Sequence, residues 1–468
     1  MNAGSIFLDV QLPSATTWFY MSLGLMVAVF FRFQRAWQLR NWDLLLLFIL
    51  VPPLLSLREA QDRRDRHAAE WRREAVFLLT TLQRANELAE APAVGGILPP
   101  LSPISEPLAA QLSQAASAGY RGVWRAYLWL LIGTAVLWLR CLVDLALFRR
   151  SEFTPNLTQG GLIWLGFVVF LAMAARPFLA GWEAPPQAQT QSLVLDRVVR
   201  AVLAVIATWN WTPAAAHQLV SLVSLTCHIS VILLLIWIGW QHFGSLTNGV
   251  AAAVYYLIIP YTAYHLTIIE QVLPALLVVL AVAAFRVPFV AGLSLAFGGF
   301  LCFFPFLLVP LWISFYRRAG LYRFLIGLGV VFVLAAGFFL MDVELRSNLE
   351  AIFYRSEWQP WIFGAQPSAE SLWTGLANHY VYRLPLFVAY LAFLVGFLFW
   401  PSPKNLAHLI ALAAGLIIGV QFWYADAGGI YVQWYLPLLI LLLFRPTLTD
   451  RVPKPLDRAT DWRWCLFE

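Results

Sequence analysis

Apolar residues in this chain gather into long uninterrupted runs. Between Ala201 and Tyr316, 116 residues carry only two charged side chains, Glu270 and Arg286. That block is too long and too apolar for one soluble core, and ~20 apolar residues are enough to cross a bilayer. It predicts several membrane spans in series. Lipid offers backbone N–H and C=O groups no partners, so the spans are helices.

Thirteen apolar runs follow from this pattern: 15–31, 42–57, 126–147, 160–181, 216–239, 248–266, 269–285, 289–302, 303–316, 324–341, 386–400, 407–424 and 431–444. The expected fold class is all-α, a polytopic transmembrane helical bundle of about 13 spans. Arg32, Arg35 and Arg40, then Arg149 and Arg150, then Arg317, Arg318 and Arg323, Lys404, and finally Arg445, Arg451, Lys454 and Arg458 occupy the short segments between runs. Basic residues in short loops mark the cytoplasmic side. With thirteen spans all of them fall on that side, which puts the N-terminus outside and the C-terminus in the cytoplasm. Counting 289–316 as one tilted span breaks the agreement, so two half-spans parted near Pro305 are expected there.

Four segments follow for the chain as a whole: an N-terminal hairpin (1–57), a charged helix with a Pro-rich connector (58–124), a membrane core (125–450) with outer loops at 182–215 and 342–385, and a tail (451–468). The stretch 193–208 is amphipathic, with Asp196, Arg197 and Arg200 near one face, and predicts a helix lying on the membrane surface.

Composition supports the membrane assignment. The chain is 61% hydrophobic and 12% charged, against ~25% charged in soluble domains, with mean hydropathy +0.72. Twenty-two Trp and 34 Phe suit aromatic belts at two interfaces. The net charge of +6 sits largely beside spans and sets orientation, so no nucleic-acid partner is expected. The four Cys are scattered, which excludes a disulfide framework and a structural zinc site. The first residues lack a basic n-region, so the first run is expected to be a retained helix. Phosphate-binding, dinucleotide, hydrolase and zinc-protease motifs are all missing from the sequence, which removes the common soluble enzyme classes.

Candidate chemistry sits in a few places. Arg140 and Asp144, four apart, lower each other's cost on one helix face. The stretch PYTAYHLTIIEQVLP brings His265, Glu270 and Gln271 to the outer surface, where a carboxylate can bind a metal or a sugar hydroxyl, or simply sit well at a helix N-terminus. GWEAPP sets Glu183 at a membrane edge, with Asp196 thirteen residues on; such an acid suits a general base. WYADAGGIYVQWYLP carries Asp426, Gln433, Trp434 and Tyr435. In the 342–385 loop, Arg346, Arg355, His379 and Arg383 can grip an anionic head group, because guanidinium matches phosphate in a forked way. Asn156-Leu157-Thr158 has the form of a glycosylation acceptor but falls on the cytoplasmic side.

The stretch from His217 to Gly320 resembles the core of GT-C-type membrane glycosyltransferases, which use polyprenyl-phosphate-linked sugars. The likeness rests on a G-S-x-x-N-G turn (Gly244, Ser245, Asn248, Gly249), a span ending in Pro260-Tyr261, and Glu270 opening the next span. It continues with Arg286, Ala291 and Gly292, then Pro305, Pro310 and Tyr316-Arg317-Arg318, and the closing YVQWYLPLLILLLFRP. It covers about 160–450. The first ~150 residues have no counterpart in it. The resemblance implies a lipid-linked sugar donor, transfer on the outer face of a bacterial inner membrane, and an acid in the first outer loop acting as base. By position that acid is Glu183, or Asp196; the family usually offers an Asp there. Arg346, Arg355, His379 and Arg383 would hold the lipid phosphate, Gln271 and Gln433 would bind substrate, and His265 and Glu270 would orient the donor or hold a divalent cation. A secondary transporter would instead predict internal repeats and broken helices, and a membrane assembly protein would use 58–124 for docking.

Overall fold

A backbone buried in lipid satisfies its polar groups by coiling on itself, and the computed structural model is helical throughout with no strand among its described residues. Those residues are 15–64, 66, 69, 73, 102–147, 154–179, 213–341, 372–373, 379–424 and 429–453. The helices are α1 (Ala15–Phe30), α2 (Leu39–Leu46), α3 (51–64), α4 (Ser102–Asp144), α5 (Gln159–Leu179) and α6 (Pro213–Gln241). Then follow α7 (Leu246–Ile258), α8 (Pro260–Tyr264), α9 (Ile269–Ala283), α10 (Pro288–Leu301) and α11 (Val309–Tyr316). The last are α12 (Leu321–Met341), α13 (His379–Phe399), α14 (Leu406–Trp423) and α15 (Val432–Phe444).

Windows in four of these helices, Arg121–Asp144, Leu219–Gln241, Val381–Phe399 and Leu406–Trp423, are long and apolar enough to cross a membrane, and shorter apolar helices surround them. The chain is a membrane protein on this evidence. Burial sorts the helices into layers. α14 and α15 are buried along almost their whole length, whereas α13 leaves Val381, Val388, Val395 and Phe399 exposed, as a lipid-facing helix does. Without a hydrophobic drive between helices in lipid, close packing matters most.

Several expected runs are interrupted, and each break has a local cause. Run 42–57 is two helices, with turn residues 47–50 before Pro52 and Pro53 in α3. Run 248–266 stops at Ile259, which is extended (ψ 133°) because Pro260 follows it. The boundary at 124/125 falls inside α4, whose first turn absorbs Pro103, a position that needs no N–H.

The stretch 289–316 reverses. Cys302 is extended, and the chain folds back so that a Cβ on Gly299 would lie 2.4 Å from the Phe306 ring. The Tyr316 hydroxyl then donates to the Phe285 carbonyl at 2.7 Å, back beside the start of α10. α12 begins at the same end: Pro288 lies against Gly320, and Phe289 against Gly327.

These contacts gather the basic segments at one end of the bundle. His242 bonds the Ala283 carbonyl (2.7 Å), the Leu406 N–H reaches the Arg451 carbonyl (2.8 Å), and Lys404 Nζ reaches Ser314 Oγ (2.7 Å). At this end lies a buried charge network. Arg140 donates from Nε to Asp43 Oδ1 (2.5 Å) and from Nη2 to Asp43 Oδ2 (2.7 Å), while its Nη1 reaches Asp144 Oδ1 (3.0 Å). Arg445 donates twice to Asp144 Oδ2, at 3.0 and 2.5 Å. The expected Arg140/Asp144 pair is therefore half of a neutral quartet that joins α2, α4 and the end of α15.

Two predictions follow. Asp144→Asn leaves buried guanidinium charge uncompensated and should cost ~3–5 kcal/mol, seen as a lower thermal midpoint of the detergent-solubilised chain. Lys404, outside the spans, is buried, and that burial pushes its ammonium down to about 8 from 10.5. Between those two values the unfolded chain binds the extra proton, so stability should rise with pH across that window. Lys404→Met should flatten the rise in thermal midpoints measured from pH 7.5 to 10.

Candidate functional site

The opposite end of the bundle is aromatic. The turn between α14 and α15 is held by Gln421, whose Oε1 accepts from the Gly429 N–H (3.1 Å) and the Tyr431 N–H (3.4 Å). Gly429 has φ +90°, a conformation that favours glycine. Pinned this way, the turn delivers Trp434 into a three-ring pile, stacked on Tyr431 (4.3 Å, 14°) and on Phe304 (4.3 Å, 17°). Phe303, at the 302 reversal, lies 4.6 Å from Tyr424 and 6.4 Å from Trp423.

Two charged groups lie at this end. Arg383, in the first turns of α13, is fully buried. Its Nε donates to the Trp423 carbonyl at 3.0 Å, and its guanidinium lies 6.0 Å from the Trp373 ring. Glu270 opens α9 at this end of the bundle. Gln433 and Arg383, far apart in sequence, thus border one aromatic surface, and Glu270 lies at the same end of the bundle. Among the described residues, the buried polar atoms without a hydrogen-bond partner include, in this quarter, the acceptors Gln271 Oε1 and Gln433 Oε1, the donors Trp423 Nε1, Trp434 Nε1 and Gln421 Nε2, and the Tyr390 hydroxyl. Orphaned buried groups are rare in folded proteins. Acceptors and donors together suit a ligand that offers both, as hydroxyl groups do.

Beneath the wall a polar chain enters the bundle. Gln433 Nε2 donates to the Tyr256 hydroxyl (2.5 Å), which faces His228 Nδ1 at 2.8 Å. With its oxygen taken as acceptor by Gln433, Tyr256 gives its proton to Nδ1. His228 then carries its own proton on Nε2, aimed at the His265 carbonyl (3.4 Å). His265 in turn uses Nδ1 on the Tyr261 carbonyl (2.9 Å). Tyr264 beside it is exposed, with Arg58 of α3 over its ring at 6.0 Å.

The structure brings together part of the expected set. Glu270, Gln271, Gln433 and Arg383 lie toward the aromatic end, while His265 is buried and committed to backbone. Glu183, Asp196, Arg346, Arg355, Asp426 and the 193–208 stretch lie outside the described residues, and of His379 the backbone alone is described. Among the described residues no group of three His, Cys, Asp or Glu is placed to hold a metal ion. The sequence reading did not single out His228, Tyr256 or Trp423; a histidine inside an apolar run is the signal that could have found His228. Asn156 spends its side chain on the Ala28 and Phe31 carbonyls (3.0 and 2.9 Å), closing the end of α1. Thr158 accepts from the Gly161 N–H at the start of α5. No protein-family model, curated protein or solved structure matches the chain.

The polar chain makes a specific demand. Tyr256→Phe strands one acceptor and one donor, so it should destabilise by ~1–3 kcal/mol. His228→Phe should do the same, and the double variant should cost clearly less than the sum. Thermal unfolding of the four proteins of this cycle reads the coupling; simple additivity would mean that the two rings do not share a bond.

Proposed function

We propose that this chain is a GT-C-type membrane glycosyltransferase that moves a sugar from a polyprenyl-phosphate donor to an acceptor hydroxyl. The reaction would run on the extracytoplasmic face of a bacterial inner membrane, with the N-terminus outside and the basic end of the bundle in the cytoplasm. The observation that supports this reading best is the convergence, at the end away from the basic segments, of Arg383, Glu270 and a buried aromatic wall with unpartnered donors and acceptors.

In this reading the acceptor oxygen attacks the anomeric carbon, and the bond from that carbon to the lipid phosphate breaks. The hydroxyl proton passes to the carboxylate of Glu183 or Asp196. The lipid phosphate leaves with the bonding pair, and Arg383, with Arg346, Arg355 and His379, stabilises its charge. Fixed positive groups aimed at developing charge are the strongest device available to such a site. Gln271, Gln433 and the indole N–H groups meet sugar hydroxyls. Glu270, at the start of α9, orients the donor; His265, buried and bonded to the Tyr261 carbonyl, is not available to share that role or to hold a cation. The partners are the lipid-linked donor and membrane lipid, with no nucleic acid. A secondary transporter is the second reading, and the Gln433–Tyr256–His228 chain inside the bundle is what favours it, since polar groups within spans also mark transport pathways. A membrane assembly protein is the third, favoured by the charged 58–124 segment.

Transfer of radiolabelled sugar from polyprenyl-phosphate donors, in membranes with matched expression, tests the proposal. Wild type should transfer. Arg383→Gln should lose on the order of 10²-fold, and one of Glu183→Gln and Asp196→Asn should lose ~10²–10⁴-fold. No transfer by wild type from any donor would overturn the reading in favour of transport or assembly.

A further inference from the structure

The turn joining α1 to α2, at the basic end, is more constructed than a connector needs to be. Asn41 is buried and holds it closed: its Nδ2 donates to the carbonyls of Arg32 (3.0 Å), Arg35 (3.2 Å) and Ala36 (3.2 Å), and its Oδ1 accepts from the Arg32 N–H (3.2 Å). Arg40 ties the turn to its neighbour, donating to the Thr154 carbonyl at 3.2 Å. A segment fixed by its own backbone in this way presents its side chains in set directions.

Those side chains are of two kinds. Phe33, Trp37 and Trp42 are exposed at 69, 84 and 51%, and the two indoles sit 5.9 Å apart. Arg35 is exposed and Arg32 half-buried, and the charge of Arg32 reaches Arg40. Asp43, the nearest acid along the chain, spends both oxygens on Arg140. Indole rings favour the headgroup layer, where one edge meets lipid and the other meets water. Guanidinium groups match phosphate oxygens in a forked geometry. Both ligand types on one rigid turn select a molecule that is anionic at its head and apolar below it.

We infer that the 31–42 turn is a binding site for the phosphate headgroup of an acidic phospholipid, gripped by Arg32 and Arg35 and flanked by Trp37 and Trp42. Burial, and then the Arg32 charge, push the Arg40 guanidinium down to about 9, and an anion between them relieves that repulsion. This inference rests on the membrane assignment and not on the glycosyltransferase reading, so either can fail without the other.

Native mass spectrometry of the full chain, purified in mixed phosphatidylcholine and phosphatidylglycerol micelles, is the test. Wild type should retain phosphatidylglycerol in preference. Arg32→Gln with Arg35→Gln should lower that retention ~5-fold or more, as expected for basic residues near an anionic surface. Trp37→Ala with Trp42→Ala should also lower it. Arg317→Gln with Arg318→Gln, an exposed basic pair at the same end, should keep the wild-type level, as should wild type in millimolar inorganic phosphate. Each variant is first shown to be monodisperse, and the substitutions spare the backbone groups that Asn41 binds. Unchanged retention in the Arg32/Arg35 variant, or equal loss in the Arg317/Arg318 variant, would overturn the inference; displacement by phosphate would make this a phosphate site and overturn the lipid assignment.

Discussion

The buried quartet of Asp43, Arg140, Asp144 and Arg445 is the constraint on which the arrangement of the bundle turns. Two carboxylates and two guanidiniums sum to zero, and every carboxylate oxygen accepts at least one hydrogen bond. Removing charges from water is costly, and good geometry with full satisfaction is the condition under which a buried pair holds. α2 is eight residues long and cannot span a bilayer. Its place is fixed from outside, by Arg140 of α4, which donates to Asp43, and by the Tyr255 and Tyr261 hydroxyls, which donate to the Leu44 and Leu47 carbonyls at 2.9 Å each. Through that anchorage the N-terminal segment becomes part of the core, and α3 leaves it at an angle that brings Arg58 over Tyr264.

From this fixed end the bundle changes character along its length. Fully paired charge gives way to neutral hydrogen-bonded side chains at His228, Tyr256 and Gln433. Beyond them comes an aromatic wall whose indole N–H and amide oxygens are unspent. The gradient matters because a closed network specifies structure, whereas unspent buried groups hold capacity for a ligand. Gln433 stands where the two meet: its amide nitrogen belongs to the chain below and its oxygen to the wall above.

Hydrophobic patterning made the helical class and most helix positions legible, because run length and lipid chemistry permit nothing else. The reversal within 289–316 was also legible, through the sidedness of the arginines around it. Long-range partners were not. Arg140 and Asp144 stood out because they are four apart on one helix, but Arg445 read as a loop base and Asp43 drew no reading until the fold joined Asp43 to Arg140 across 97 residues and Arg445 to Asp144 across 301. His228 and Tyr256 were hidden for a related reason: their chemistry comes from each other and from Gln433, and no short motif encodes it. The breaks at Ile259 and at 47–50 depend on prolines whose effect is local, whereas Pro103 sits at a helix start and does not interrupt α4. The charged 58–64 segment reads as a separate outer element in sequence, yet α3 carries it as an unbroken continuation of an apolar run.

The reversal at Cys302 shows how a local event can build a site. Pro305 alone does not explain it, since Cys302 rather than Phe304, the residue before the proline, is extended. The deciding residues are Gly298 and Gly299. A Cβ at the first would meet the Pro305 ring at 3.3 Å, and at the second would press into the Phe306 ring. With both side chains absent, the returning chain lies directly on the helix it has just left. That close return thrusts Phe303 and Phe304 sideways against Tyr424 and Trp434 instead of outward into lipid. The aromatic wall therefore exists because the last turn of α10 carries two glycines that let the next segment turn back at once. A helix continuing through 302 would carry Phe303 and Phe304 away from Tyr424 and Trp434 and strip two rings from the surface that Arg383 borders.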